Sequence, residues 1–313
     1  MIRVIPYDPS LEETWNECVA NSKAGTFLHR RSFMEYHADR FIDHSLLLFE
    51  DKTPLGVMPA NIVGNQLISH AGLSYGGFLY GKVLRTSKVI ECLNAVLDYL
   101  RMHSITDFIY KSVPNIYRDS CSSEDDYALF YCGFSLYRRD LSATLDLRVK
   151  SLPYSKGRKA LIVRGRQLAL QIFEASDFGC FVNILNANLT SKYGKMAVHT
   201  APELLILQSR FPEQIRLYAC HYEGRMMGGV LVFETRLVAH CQYIAFTEEG
   251  DKMGSKDFLI DHLISEYQRR EFRFFDFGTS TEQDGRYLNV GLTEYKEGFG
   301  ARATVNDFYR IKP

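Results

Sequence analysis

At 313 residues and 46% hydrophobic, the chain is long enough for one large or two medium domains with their own apolar cores, and two is the expectation. Lysine plus arginine equals aspartate plus glutamate at 37 each, so no global positive field gathers polyanions and nucleic acid, charged tRNA apart, is not the expected partner. Seven scattered cysteines (Cys18, Cys92, Cys121, Cys132, Cys180, Cys220, Cys241) contain no CxxC pair, which argues against a zinc site or thiol exchange and for buried thiols in a reducing compartment.

The N-terminal run MIRVIPYDPSLEETWNE meets acidic residues too soon for the apolar core of a signal peptide. No apolar stretch approaches the roughly 20 residues of a membrane helix, so a cytoplasmic location is expected. The first structured unit reads LLLFEDKTPLGVMPANIVGNQLISHAGLSYGGF, strands separated by turns. It is followed by the helix SKVIECLNAVLDYLRM, with Ile90, Leu93, Leu97 and Leu100 on one face, and the strand ITDFIYKS. Within it Tyr75, Gly76 and Gly77 could let backbone approach a ligand, and Lys111 could supply a cation; a purely structural role explains the same residues.

Pro153 and Gly157 interrupt LDLRVKSLPYSKGRKA, which sets a boundary near residue 150 and domains over 1–150 and 151–313. The cations Lys156, Arg158, Lys159, Arg164 and Arg166 that follow form either a local anion site or a solvated helix face. His199 precedes a helix expected from about Ala201. The succession of the first unit then returns: IRLYACHYEG, GGVLVFETRLVAHCQYIAF, the helix GSKDFLIDHLISEYQRR with Ile260, Leu263, Ile264 and Tyr267 on one face, and the strand FRFFDFG. LISH ending at His70 stands where LVAH ending at His240 stands, so a duplicated β-β-α-β unit of a mixed α/β fold is expected, element for element. Strand alternation sends His240 and Gln242 to one face and Cys241 and Tyr243 to the other. A mid-strand histidine is either a satisfied core residue or a proton acceptor, and a polar His/Gln pair needs partners in both cases.

The tail FDFGTSTEQDGRYLNVGLTEYKEGFGARATVNDFY, with Asp276, Phe277, Gly278, Leu292, Lys296, Phe299 and Gly300, resembles the C-terminal half of the FemAB-like branch of the GNAT acyltransferase superfamily. SYGGFLYG from Ser74 and SKGRKALIVRGRQ from Ser155 fit the same likeness. The resemblance implies two tandem GNAT-like domains and transfer of an acetyl, acyl or aminoacyl group to an amine. The phosphate loop of an ordinary GNAT domain is Arg/Gln-x-x-Gly-x-Gly/Ala; the corresponding place here, EEGDKMGSKDF, keeps Gly250 and Gly254 at a looser spacing.

That chemistry needs a neutral amine, a polarised carbonyl, a proton acceptor and binding that aligns both substrates. Lys296 is the first candidate, for the developing negative charge or a donor phosphate. His240 and Glu282 are candidates for taking the proton or orienting the amine. Backbone N–H groups of Met253, Gly254 and Ser255 could cradle the diphosphate of an acyl-CoA co-substrate, or Ser255 could be a plain helix cap. Gln242, Tyr243, Ser280, Asn289 and Arg158, with Tyr75 and Lys111, are the expected substrate-binding residues. The leading expectation is an N-acyltransferase using acetyl-CoA or another acyl-CoA on a small-molecule or lipid-linked amine of an amino sugar or cell-envelope precursor. Aminoacyl transfer from charged tRNA to a peptidoglycan precursor is the runner-up, and a non-catalytic GNAT-derived binding module the third reading.

Overall fold

The computed structural model describes residues 1–120, 122–150 and 152–313, which leaves the Cys121 thiol outside the described residues. Two compact units emerge. One comprises Met1–Leu141, Gln283–Arg286 and Val305–Pro313, the other Ser142–Glu282 and Tyr287–Thr304.

The first unit contributes β1 (Ile2–Pro6), α1 (Glu12–Asn21), α2 (Arg31–Met34), β2 (Ile42–Asp43), β3 (Leu46–Glu50), β4 (Thr53–Met58), β5 (Asn61–Val63), β6 (Gln66–Ile68), β7 (Leu79–Tyr80), α3 (Thr86–Met102), β8 (Asp107–Lys111), α4 (Glu124–Tyr131) and the start of β9 (Ser135–Asp146). The second adds α5 (Lys156–Gln167), β10 (Gln171–Ala175), α6 (Phe178–Tyr193), α7 (Ala201–Arg210), β11 (Ile215–Tyr222), β12 (Arg225–Glu234), β13 (Val238–Phe246), α8 (Glu248–Met253), α9 (Ser255–Arg269), β14 (Phe274–Thr279), β15 (Thr281–Glu282), β16 (Tyr287–Leu288), α10 (Val290–Glu297) and the start of β17 (Arg302–Ile311).

In the second unit the strands run β10-β11-β12-β13-β14-β9, antiparallel except for the parallel pair β13 and β14. That parallel pair follows from the crossover helix α9, which carries the chain back to the same end of the sheet. The face of α9 expected from its period is buried: Ile260, Leu263, Ile264 and Tyr267 join Phe275, Phe277 and Phe299 in one apolar cluster. Burying each such side chain contributes on the order of 1.5–3 kcal/mol, more than helix propensity supplies.

The first unit departs from the expected element-for-element repeat. Its early strands form a separate sheet, β1-β3-β4-β7, while β5 and β6 belong with β8 and β2. Pro59, at the exit of β4, has no N–H to extend a ladder, so the chain leaves one sheet there and enters the other. What survives is the parallel pair flanking a helix: β6 and β8 pair from Gln66↔Asp107 to Ile68↔Ile109, with α3 between them in sequence. On α3, Leu93, Leu97 and Leu100 are buried as expected, with Val89, Cys92 and Val96 beside them. The last strand closes this unit, Phe308↔Lys111 to Ile311↔Phe108, and Tyr309 and Ile311 pack on its apolar core.

Among the described cysteines, Cys92, Cys220 and Cys241 are buried, whereas Cys18, Cys132 and Cys180 are partly exposed. No helix of the described residues is long and apolar enough to cross a membrane.

Candidate functional site

Strands β13 and β14 stay paired for three positions only, Val238↔Phe274, Ala239↔Phe275 and His240↔Asp276. Beyond them β13 runs on to Phe246 and β14 to Thr279 without further pairing, so the two part immediately after His240 and Asp276. Gly278 makes the parting possible. Its φ of 76° lies in the left-handed region, β14 shifts register against β9 between Asp276 and Thr279, and a Cβ at this position would stand 3.3 Å from Cε1 of His240.

At the fork, His240 Nδ1 donates to Asp276 Oδ2 at 2.7 Å. The other oxygen of Asp276 accepts from Ser142 Oγ at 2.7 Å and Thr144 Oγ1 at 2.9 Å, two side chains that alternate on one face of β9. Burial pushes the Asp276 carboxyl up, yet the hydrogen bonds from His240, Ser142 and Thr144 outweigh it and hold the group below its ordinary value. A buried, ionised carboxylate on Nδ1 fixes the imidazole tautomer and leaves Nε2 as the lone-pair nitrogen, with no hydrogen-bond partner among the described residues. In the sequence Asp276 stands out only as part of the tail motif, and nothing there marks Ser142 or Thr144. The available signal was that a parallel β-α-β crossover sets the ends of its two strands side by side.

Lys296, on α10, is buried. Its Nζ donates to Gly278 O at 2.6 Å, Thr279 O at 2.8 Å and Ser280 Oγ at 2.9 Å, which uses all three ammonium protons. Burial lowers its pKa to about 8. The lysine thus ties off the diverging end of β14, and Gly278 stands between it and His240. A substrate carbonyl or phosphate, the partners expected for Lys296, could accept a hydrogen bond from it only by displacing one of these. Ser280 accepts from Lys296 and its carbonyl accepts from the Asn289 N–H at 3.0 Å. Asn289 caps α10 through the Leu292 N–H and donates from Nδ2 to Glu282 Oε1 at 2.9 Å. His240, Lys296, Ser280, Asn289 and Glu282 are therefore joined through one chain of contacts.

The expected alternation along β13 fails at one point. A bulge leaves Cys241 opposite Val232 and Tyr243 opposite Leu231, with Gln242 the extra residue. Tyr243 thereby shares a face with His240, whose partner is Phe233, instead of lying opposite it. The Tyr243 hydroxyl meets Nδ1 of buried His199 at 2.7 Å.

The expected diphosphate cradle does not fit. The α9 N-terminus lies under α5: Gly254 has φ 81°, and a Cβ there would overlap the Leu161 carbonyl. Ser255 is fully buried, and buried Asp257 in the first turn takes Arg158 Nη1 at 2.6 Å. An incoming phosphate would meet a helix backbone and a carboxylate where it needs open N–H groups. Met253, Gly254 and Ser255 are thus a helix joint. Arg158, expected to bind substrate, pairs with Asp257 and lies over the Tyr295 ring at 4.6 Å. Lys156, Lys159, Arg164 and Arg166 point outward from α5, exposed.

Tyr75 and Lys111 serve the first unit. Tyr75 is buried against Tyr117, and Lys111 Nζ donates to His70 O, at 3.1 Å, and to Leu73 O. Gly76 has no room for a Cβ against the Ser69 carbonyl, and Gly77 has φ 72°. In the first unit the β6/β8 pairing stops at Ile68↔Ile109, and His70, at φ 59°, has left the strand and offers its carbonyl to Lys111 Nζ, whereas the second unit pairs His240 with Asp276. Burial lowers His70 to about 3 and Lys111 to about 7, so this counterpart pair holds no carboxylate.

Residues 197–297, which hold the splayed parallel pair, the crossover helix and the polar cluster at the fork, match the model of the acetyltransferase (GNAT) domain. Among solved structures the chain is similar to FemX, at 10% identity and a TM-score of 0.67, covering 99% of this chain and 97% of that one. It is similar to L-PGS from Bacillus licheniformis at 12% identity and TM-score 0.64, over 98% and 93%, and to a tandem GNAT protein from the clavulanic acid biosynthesis pathway at 12% and 0.52, over 100% and 98%. No curated protein matches in sequence. The fold is mixed α/β with two tandem GNAT-like units, as the tail motif implied.

Proposed function

We propose that this chain is an N-acyltransferase whose second unit carries the chemistry, with His240 as the base that deprotonates the acceptor amine. The observation that carries the reading is the His240–Asp276 pair at the fork of β13 and β14, with Nε2 unengaged and the carboxylate braced by two hydroxyls. The amine nitrogen attacks the donor's acyl carbon, the C–N bond forms as the carbon–leaving-group bond breaks, and Nε2 takes the amine proton and returns it to the leaving group. Asp276 stabilises the imidazolium without itself being protonated. Lys296 and Ser280 hold the shape of the fork as positioning residues, and Glu282, braced by Asn289, attracts the acceptor while it is still an ammonium ion. Tyr243 and Gln242 line the approach along β13.

The acceptor proposed is an amine of an amino sugar or cell-envelope precursor, met on the cytoplasmic side; the FemX and L-PGS likenesses suit that class. For the donor, the closed α9 terminus favours aminoacyl transfer from charged tRNA over an acyl-CoA. A second feature supports this: no acidic residue interrupts Leu147–Phe173, and α5 turns Lys156, Lys159, Arg164 and Arg166 outward. Calorimetric titration with acetyl-CoA should give no heat, and filter binding with total tRNA should give retention that falls steeply with salt. Heat with acetyl-CoA and no tRNA retention would reverse the choice of donor. Activity undiminished in His240→Ala would remove the reading of the base.

A further inference from the structure

The loop between α6 and α7, Gly194–Thr200, is shaped by its own hydrogen bonds yet turns apolar side chains to water. Gly194 closes α6 in the left-handed conformation, its N–H donating to Thr190 O at 3.0 Å. The Ala197 N–H donates to Asn186 Oδ1 at 2.8 Å, and Thr190 Oγ1 donates to Lys195 O at 3.4 Å. Tyr193 is nevertheless 46% exposed, Met196 66% and Val198 69%, and α7 adds Leu205 and Ile206, each near half exposed, on the face opposite its buried Leu204 and Leu207.

The charges carried by α6 and this loop have one sign. No acidic residue occurs from Phe178 to Pro202, and Lys192 and Lys195 are exposed without an ion pair among the described residues. Glu203 is engaged in capping α7 through Thr200. We infer that this rim docks onto an anionic lipid surface, Tyr193, Met196 and Val198 entering the headgroup boundary while Lys192 and Lys195 meet lipid phosphates. A second copy of the chain fits poorly, because two like-charged rims repel. A nucleic acid fits poorly, because Met, Val, Leu and Ile offer a phosphate nothing. His199, within this loop, bonds Tyr243 on the His240 face of β13, so docking would bring the fork to the membrane surface. That the acceptor amine is then lipid-linked rests on the proposed function; the docking itself does not.

The test is co-sedimentation of the full chain with vesicles of phosphatidylcholine and phosphatidylglycerol in equal parts, and with vesicles of phosphatidylcholine alone, without any substrate. Binding is expected to the mixed vesicles only, and to weaken with salt. Met196→Asp with Val198→Asp should weaken it about tenfold or more, and Lys192→Glu with Lys195→Glu should do the same, both with unchanged circular dichroism and melting temperature because the sites are exposed. His240→Ala should bind as the native chain does, which separates failure of the docking from failure of the catalytic reading. Failure of the native chain to bind mixed vesicles, equal binding to both vesicle types, or undiminished binding by the Asp pair overturns the inference. So does a concentration-dependent dimer that the Asp pair abolishes.

Discussion

His240 and Asp276 lie 36 residues apart yet touch, because parallel register brings them opposite one another. Replacing His240 by Ala should lower kcat by on the order of 10²–10⁴-fold in an amine acylation assay, and Asp276→Asn should approach that loss through the wrong imidazole tautomer. Lys296 offers a thermodynamic check. Its folded pKa of about 8 lies below its ordinary 10.5, so between those values the unfolded chain keeps a proton that the folded chain has lost. Stability should therefore rise with pH through that window, the full cost of the buried charge, about 3 kcal/mol, being present below pH 8. Urea unfolding of the native chain and of Lys296→Met across pH 7–11 should show this slope in the first and its loss in the second. His240 and Lys296 were legible in the chain, one from its place in a strand and the other from the tail motif. Asp276's role was not, because strand register is a tertiary fact that spacing does not carry. The three bonds that occupy Lys296 were hidden for the same reason.

At the scale of elements, α5 and α9 meet so closely that Gly254 accommodates the Leu161 carbonyl. Gly254→Ala adds a Cβ both at a positive φ and against backbone, and should cost about 1–3 kcal/mol in chemical denaturation. Millimolar coenzyme A should leave the melting temperature of the native chain unmoved. The helix face of α9 was readable from its 3.6-residue period. The closure of its N-terminus was not, since EEGDKMGSKDF says nothing of the helix that crosses above it. Likewise the alternation of polar and apolar residues along β13 could not announce the bulge at Gln242, which moves Tyr243 to the His240 face.

For the whole molecule, the repeat of β-strand, helix and parallel strand was legible, but the two copies have diverged in the pair that matters. Lys111 ends β8 and His70 has left β6 at φ 59°, where the second unit pairs His240 with the Asp276 carboxylate, so one chain should hold one competent base. His70→Ala should leave kcat within about twofold, whereas His240→Ala alone removes turnover; comparable losses from both would mean that the first copy takes part in the chemistry.

The first unit draws on Val305–Pro313 for the strand beside β8, after the chain has laid down nearly all of the second. As the polypeptide leaves the ribosome, β8 must wait with a bare edge and Tyr110 and Phe108 short of their neighbours until Val305–Pro313 emerge. The early-made half is thus the late-finished one, and a message cut short before Val305 would yield a protein whose damage lies far from the missing codons in sequence.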